Sequence, residues 1–505
     1  MIVTATVMAY FVVLVAIGFA ASRRIRGVSD YYVGGKRLGR WLVMFSANTT
    51  AESAWLLLGL TGLGAAFGLK ALWVVVGEVV GVTLAWFWLA PRFKRATDEC
   101  DALTVPDYLA SRFSTGSQRH LVGAVRLVAA LALTVFVTVY VSAQIDATGK
   151  TFHKFLDWNH YAGVAVGFGI VALYTLSGGF VAVVWSDLFQ GLLMLIGLVS
   201  VPVAAFVALD PHAPPLPAGL LSPWGPEGAS LETLLSILAL MAIGLGFLGI
   251  PQVFVRFIAI RSVDEIRRGR WLAVAFTLVT DTGAVAAGVL GRRLLAPGAS
   301  QAADLLGPGG ENVLPMTVMT LFPEIVVGGF IAVILAAIMS TIDSLLLVAA
   351  SALSRDVYQK MFRPALPDER LTRISRLVTV GLSTVAVLLS ITVSWLSPDR
   401  TVFWYVIFGW SGLTATFCPM MILALAWRRY NAAGALASMV SGMAGVPFFK
   451  FVVPHLGSAG AILARAEELL PSFAVALIAG IAVNLLTDRL APGDKAGSLV
   501  SAAPR

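Results

Sequence analysis

The sequence contains little charge and almost no cysteine for its length. Of 505 residues, only 13% are Asp, Glu, Lys or Arg, while 58% are hydrophobic; soluble domains usually contain about 25% charged residues. A chain of this composition cannot be a soluble globular enzyme, because its surplus apolar surface has to face lipid. The two cysteines, Cys100 in a polar loop and Cys418 in an apolar run, suggest neither a disulfide pairing nor a metal site.

Two further absences exclude other classes of function. The five histidines form no pair at the spacing of metal ligands, so nothing indicates a membrane metalloenzyme. No segment resembles a Walker loop, which excludes ATP as the energy source. We therefore expect a membrane protein that is not an enzyme.

Long apolar runs account for the hydrophobic excess. A spanning helix needs about 20 largely apolar residues, and the 48 Gly and 23 Pro indicate closely packed and interrupted membrane helices. The sequence therefore predicts an all-α polytopic membrane protein with about 13 transmembrane helices. The predicted spans are 3–22, 41–66, 70–91, 120–147, 160–178, 182–209, 233–258, 271–292, 324–351, 376–397, 401–425, 433–453 and 470–487.

The distribution of basic residues predicts the orientation. Arg23, Arg24 and Arg26 follow the first run and no basic residue precedes it, the reverse of a cleavable signal peptide. With the N-terminus outside and the C-terminus in the cytoplasm, the inside loops hold about 26 Lys or Arg and the outside segments about eight. The net charge of +8 therefore follows from membrane orientation, and we expect no nucleic-acid partner.

Two runs are predicted to break in the middle of the membrane. The second run is polar from Asn48 to Ser53, and the seventh has three glycines before Pro251 at comparable depth. The two runs lie five spans apart and cross in opposite directions, a pattern typical of an inverted-repeat secondary transporter with its site at the repeat interface. The alternative is that Gly and Pro merely permit tight packing.

The ninth run carries oxygen atoms suited to an alkali cation. The Ala337 carbonyl and the hydroxyls of Ser340 and Thr341 fall on one helical face. Facing unwound carbonyls of Thr49 and Glu52, they would form a five-oxygen cage for Na⁺. The alternative is that the hydroxyls bond back to carbonyls of their own helix.

Asp187 stands near the predicted cytoplasmic end of the sixth run, close to water. A carboxylate there could bind or release a cation on the inner side. It could equally cap a helix N-terminus, where the helix dipole favours negative charge.

Several segments are distinctive in their order and spacing. They are "DYYVGGKRLG" (30–39), "ALTVPDYLASRF" (102–113), Tyr140, "GGFVAVVWSDLFQ" (178–190), "GLGFLGIPQVFVRF" (244–257) and "ILAAIMSTIDS" (334–344). With them the chain, from about residue 3 to 487, resembles the sodium/solute symporter family, most closely its bacterial sodium/proline symporters.

The resemblance implies a core of two inverted five-helix repeats of the leucine-transporter type, working by alternating access in the bacterial plasma (inner) membrane. We expect one transmembrane transporter domain and a short cytoplasmic tail. The predicted divisions are the domain 1–487, its first helix 3–22, repeat one 41–209, repeat two 233–425, accessory helices 433–487 and the tail 488–505.

The resemblance also implies residue roles. Na⁺ would be held by the five oxygens named above, and Asp187 matches the acidic residue on the inner Na⁺ route. The predicted substrate contacts are Ser53, Ala54, Trp55, Tyr140, Ile243, Phe247 and Pro251.

The departures from the family pattern lie where substrate should bind. Proline carriers typically read "SDMSGW" where this chain reads "TAESAW", so the family Asp becomes Ala51 and a carboxylate reappears at Glu52. One residue turns a helical side chain by about 100°, so Glu52 is not an obvious replacement. Ile243 and Phe247 stand where Trp and Tyr are expected, giving a less polar pocket.

Additional acids occur at Glu78, Asp281 and Asp343. They could be structural, paired with Arg126, Arg256 or backbone groups. Otherwise they could accept protons or supply an additional cation site.

The sequence thus predicts a Na⁺-coupled symporter that imports a small zwitterion, with L-proline the best single candidate and a monomer sufficient. One alternative is a transporter of the same fold for another amino acid or small organic solute, with proton coupling through Glu52 or Asp281. Another, from a different class, is a transport-dead membrane sensor, for which the tail after Asp488 offers no room for a signalling domain.

Overall fold

The computed structural model describes residues 1–23, 27–114, 118–212, 214–296 and 304–490. These residues are helical nearly throughout, and their one extended pairing is an isolated parallel bridge between Leu38 and Ile260. Most of the predicted tail lies outside the described residues.

We label the long helices and half-helices in chain order and leave the short connecting helices unlabelled. They are α1 (Ile2–Ser22), α2 (Arg40–Ala51), α3 (Thr61–Phe67), α4 (Leu72–Leu84), α5 (Val122–Leu156), α6 (His160–Val207), α7 (Leu231–Ala242), α8 (Pro251–Ala259), α9 (Val263–Leu295), α10 (Glu324–Ser351), α11 (Asp368–Leu396), α12 (Val402–Ala426), α13 (Ala432–Phe451) and α14 (Leu469–Leu490). Short helices in the connections are Val28–Val33, Val105–Arg112, Val313–Leu321 and Gly457–Ala464.

Each of the predicted spans is helical over most of its length, although some are joined end to end. Among the described residues, 11 helical segments are long and apolar enough to cross a membrane. One of them, 55–99, joins the second half of the second predicted span to the third and is interrupted at Gly68. The fifth and sixth predicted spans form α6, interrupted at Gly179 (φ 52°, ψ −159°). Glycine takes such backbone angles without the steric penalty of a Cβ atom.

Both predicted helix breaks are present. Helix α2 ends at Ala51, and Glu52 is extended (φ −91°, ψ 108°) before a π-helical turn leads into α3. Helix α7 continues as a tight 3₁₀ turn to Leu248, and α8 begins at Pro251, where a missing backbone N–H has no cost. The interpretation of these segments as interrupted helices is therefore confirmed.

The break between α7 and α8 packs closely against α4. A Cβ atom on Gly81 would lie 2.0 Å from the carbonyl oxygen of Gly244, and one on Gly244 would lie 1.9 Å from that of Gly77. Only glycine permits this approach, as expected where membrane helices associate through small residues.

Burial is arranged for an apolar surrounding. Helix α10 is buried over nearly its whole length from Val327, while α1 and α11 expose large apolar side chains such as Phe19 and Leu388, each 60% accessible. Polar and charged groups collect inside, around the two breaks. An outer surface of this kind fits lipid, and the interior positions the site.

Candidate functional site

The end of α2 presents open backbone oxygens to α10. The last carbonyls of a helix have no partner within it, and those of Thr49 and Thr50 accept the hydroxyls of Ser340 and Thr341, each at 3.1 Å. The same hydroxyls lie 3.0 and 3.1 Å from the Ala337 carbonyl. All five residues are buried. The structure thus brings together four of the five predicted Na⁺ oxygens, and it combines the predicted contact with the back-bonded alternative.

The position of Glu52 differs from its expected one. The second α2 carbonyl that meets α10 belongs to Thr50, because α2 remains helical through Ala51 and the chain then turns away at Glu52. The Glu52 carboxylate instead faces α9, where it lies 3.0 Å from the Thr280 hydroxyl and 3.4 Å from that of Thr277. Its side chain therefore belongs to a different cluster from the hydroxyl pair of α10.

Asp187 lies deeper than the sequence suggested. It is fully buried, accepts a hydrogen bond of 2.5 Å from Ser46, and forms a 3.2 Å ion pair with Arg256. Since the interruption of α6 at Gly179 is eight residues away, Asp187 does not cap a helix, and the expectation that it lies close to water is wrong. Its role on the Na⁺ route stays a prediction.

Arg256 joins four helices at this point. Besides Asp187 on α6, its guanidinium donates to Ser46 at 3.0 Å and Thr50 at 2.7 Å on α2, and to Ser344 on α10. The sequence suggested Arg256 only as a partner of the additional acids and did not identify Ser46 or Ser344. A buried arginine requires hydrogen-bonding partners, so its presence in a predicted span could have directed the search to polar residues on the neighbouring spans.

Three of the predicted substrate residues, Ser53, Ala54 and Tyr140, lie together at the first break. Gln144 of α5, which the sequence reasoning missed, accepts from the Ala54 N–H at 3.1 Å and donates to the Ser53 hydroxyl at 2.9 Å. The Tyr140 hydroxyl lies 3.4 Å from that of Ser53. Because Tyr140 and Gln144 are four residues apart, they share one face of α5, and this spacing could have identified Gln144.

The second break contributes an aromatic side to the same region. The indole N–H of Trp410, also missed, donates to the Ile243 carbonyl at 2.9 Å. The Trp410 ring centroid lies 5.7 Å from that of Phe247 and 6.4 Å from that of Tyr140. Trp55 packs in the first break, with its indole N–H on the Ala51 carbonyl, and Pro251 begins α8. All seven predicted substrate residues are buried.

Three acids form a separate cluster on the other side of the first break. Carboxylate oxygens of Glu52, Glu78 and Asp281 lie within 4.8 Å of one another, and all three side chains are fully buried. Glu78 and Asp281 pair with neither Arg126 nor Arg256, which form ion pairs with other acids. The pairing with either arginine that was considered for these two acids is therefore wrong.

Comparisons with known proteins place the chain among transporters. Residues 31–442 match the sequence profile of the sodium:solute symporter family. The osmoregulated proline transporter of Bacillus subtilis is 33% identical over 95% of this chain and 94% of its own length. The high-affinity proline transporter of the same organism is 34% identical over 94% and 96%. A sodium/proline symporter of Staphylococcus aureus is 31% identical over 95% and 92%.

Solved structures support the fold. A Na⁺-coupled sialic acid symporter in a substrate-bound, outward-open state superposes with a TM-score of 0.74 at 18% identity, covering 96% of this chain and 98% of that one. A transporter of the nucleobase-cation-symport-1 family gives a TM-score of 0.53 at 14% identity, covering 92% and 96%. At these identities the likeness concerns the fold alone, and that fold is the leucine-transporter type predicted from the sequence.

The family match covers most of the chain, and the relatives match it almost from end to end. The predicted multi-pass plasma-membrane protein, coupled to sodium and not an enzyme, is confirmed. The chain belongs to the sodium:solute symporter family.

Proposed function

We propose that the protein imports L-proline together with Na⁺ by alternating access. The relatives named above as proline transporters, at 31–34% identity, support the choice of substrate. The observation that carries the coupling is the meeting of the α10 hydroxyls with the open carbonyls at the end of α2. Inward movement of one charge across 100 mV supplies about 2.3 kcal/mol, without any covalent chemistry.

Na⁺ binds at the predicted oxygens of Thr49, Ala337, Ser340 and Thr341, and the Thr50 carbonyl, which lies 3.1 Å from the Thr341 hydroxyl, takes the place predicted for that of Glu52. Uncharged oxygens suit a monovalent ion, which they can release again during the cycle. The ion would hold the unwound end of α2 against α10. On the inner side it leaves past Asp187, which already lies beside α2 through Ser46.

The solute lies between the two breaks. Its carboxylate faces the free N–H groups of a half-helix, where the helix dipole favours negative charge. Its apolar ring rests against the aromatic residues Trp55, Tyr140 and Phe247. The other predicted contacts, which complete the pocket, are Ser53, Ala54, Ile243 and Pro251. The hydrogen bonds of Gln144 with Ala54 and Ser53 fix the shape of the first break beside the solute.

The chain works as a monomer. Its N-terminus lies outside and its C-terminus in the cytoplasm, an orientation that the excess of basic residues in the inside loops supports. Residues 1–487 act as one transporter domain, in which 41–209 and 233–425 rock against each other. The two helix breaks, one in each repeat, support this division.

The test is uptake of radiolabelled proline into proteoliposomes with an inward Na⁺ gradient. We expect accumulation that requires Na⁺ and that excess unlabelled proline abolishes, while unlabelled leucine and glutamate leave it unchanged. Competition by another small solute with no effect of proline would replace the substrate. Uptake that persists without Na⁺ and collapses with a protonophore would replace the coupling ion, a result that the three buried acids would favour.

A further inference from the structure

A cluster of acids outside the hydroxyl site lies next to the first helix break. Glu52 belongs to the break itself, Glu78 to α4 and Asp281 to α9. All three are fully buried, and each directs a carboxylate oxygen towards the other two, within 4.8 Å. Residues distant in the sequence thus converge on one small volume.

Hydrogen bonds satisfy only part of this cluster. The hydroxyls of Thr277 and Thr280 reach Glu52, and the Thr280 hydroxyl also lies 3.2 Å from Asp281 Oδ1. With the carboxyl groups ionised, Asp281 Oδ2 and both oxygens of Glu78 have no hydrogen-bond donor among the described residues. A buried carboxylate without a partner is costly, so these oxygens point to a ligand.

Two other buried acids of the described chain have basic partners. Asp187 pairs with Arg256 at 3.2 Å, and Glu468 pairs with Lys450 at 3.1 Å. Within the described part of the chain, no ion pair joins Glu52, Glu78 or Asp281 to a lysine or arginine. Compensating positive charge for the acid cluster, either a cation or protons, therefore has to come from outside the described part of the chain.

We propose that Glu52, Glu78 and Asp281 form a second cation site, separate from the hydroxyl-lined Na⁺ site, which takes a hard cation through carboxylate oxygens. Oxygen ligands of this kind suit Ca²⁺, Mg²⁺ and their chemical relatives, and the same atoms can bind Na⁺. A divalent ion would compensate two of the negative charges and Na⁺ one. This site rests on the proposed function only in assuming that a first Na⁺ binds at the α10 hydroxyls.

The position of Glu52 gives the second site a consequence for coupling. Glu52 directly follows the α2 carbonyls of Thr49 and Thr50 that are assigned to the first Na⁺ site, while its carboxylate belongs to the second. Both cations would therefore hold the same break between α2 and α3. Occupancy of either site would favour the same geometry of the segment that contacts the solute.

The experiment measures cation binding by the purified protein, without proline. Wild type, Glu78→Gln and Asp281→Asn are titrated with Mn²⁺ alone, followed by electron paramagnetic resonance, and with ²²Na⁺ alone. In both variants we expect one class of bound cation to weaken by at least about tenfold, as loss of a metal-binding group does. If the affected ion is Mn²⁺, the site is divalent; if only the ²²Na⁺ stoichiometry falls, the ligand is a second Na⁺.

Two controls separate the site from other effects. Glu468→Gln also replaces a buried acid by an amide, but that acid has a lysine partner, so cation binding should be unchanged. Ser340→Ala should weaken Na⁺ binding at the first site and leave the carboxylate cation bound. The increase in unfolding temperature that the carboxylate-bound cation produces is a second readout, which Glu78→Gln should lose and Glu468→Gln should retain.

Equal cation binding by wild type and both cluster variants would overturn the second site, as would an equal loss in Glu468→Gln. Should Glu78→Gln fail to give monodisperse protein, Asp281→Asn carries the test. None of these measurements uses proline transport. A wrong substrate would therefore appear only in the uptake assay, while a wrong cation site would appear only here.

Discussion

The unwound end of α2 separates two regions that differ in how their buried carboxylates are compensated: one contains an arginine partner and the other contains no basic partner among the described residues. Towards α6, α8 and α10, Asp187 lies against Arg256, whose guanidinium also donates to the hydroxyls of Ser46 and Thr50. Towards α4 and α9, three carboxylates converge without a basic side chain among the described residues. A charge buried with its counter-charge can hold helices together permanently, whereas charge buried alone needs an ion that can come and go.

The comparison explains why the two sides suit different tasks. On the side that contains Arg256, its guanidinium connects α2, α6, α8 and α10. The hydroxyl and carbonyl oxygens assigned to Na⁺ on this side are neutral. A neutral set of ligands can release a monovalent ion during the cycle. The acidic side is only complete with bound positive charge, so its geometry depends on the ionic conditions.

The largest effect is expected when the side that contains Arg256 loses its positive charge. Arg256→Met leaves Asp187 buried without a counter-charge and removes the bonds to Ser46, Thr50 and Ser344. Breaking a buried pair from one side costs about 3–5 kcal/mol, so we expect little folded protein. The yield of monodisperse protein in detergent and its unfolding temperature measure the loss.

The control removes both charges of this pair together. Arg256→Met combined with Asp187→Leu removes both members of the ion pair and should recover much of the stability that Arg256→Met loses. A single Arg256→Met variant as stable as wild type would show that the pair contributes little and would remove the contrast between the two sides.

A smaller and more specific effect is expected at the neutral oxygens. Ser340→Ala combined with Thr341→Ala removes two ligands, each worth about 1 kcal/mol. The Na⁺ concentration for half-maximal proline uptake should then rise by about tenfold or more, with abundance in the membrane unchanged.

The matched control for this pair lies on the same helix. Ser351 is also a buried hydroxyl of α10, but it donates at 2.8 Å to the Val348 carbonyl of its own helix. Ser351→Ala should leave the Na⁺ dependence as in wild type. An unchanged dependence in the double variant would dismiss the hydroxyl site.

Local patterns predicted the elements that carry the site. The polar stretch of the second run and the Gly and Pro of the seventh predicted both helix breaks, because these residues weaken a helix wherever they stand. The spacing of Ala337, Ser340 and Thr341 placed them on one face, because helical periodicity is a local property. These features depend on near neighbours in the sequence.

Contacts between distant residues could not be predicted in this way. Glu52 and Asp281 are more than 200 residues apart, and nothing in either segment encodes their approach. The choice of the Thr50 carbonyl depended on the last residue of α2, and helix ends are uncertain by one or two residues from any local rule. The packing of whole helices determines both the approach of Glu52 to Asp281 and the α2 carbonyl that meets α10.

The smallest effect tests the acidic side. The Thr280 hydroxyl lies 2.8 Å from the Phe276 carbonyl of its own helix, 3.0 Å from Glu52 and 3.2 Å from Asp281, so Thr280→Val removes a shared polar contact from the cluster. Where a cation supplies most of the compensation, we expect a loss of only about 1 kcal/mol, seen as a fall of about 1–3 °C in the unfolding temperature in saturating cation. Thr379→Val, whose hydroxyl donates to its own helix, is the control.

The size of this loss decides between two explanations of the acidic side. A fall comparable to that of Arg256→Met would mean that the hydroxyl, and not an ion, holds the three carboxylates together. A small fall that grows when the cation is withdrawn would mean that the ion carries most of the compensation. In that case the two sides of α2 differ in kind, since one side contains its own counter-charge and the other acquires it from solution.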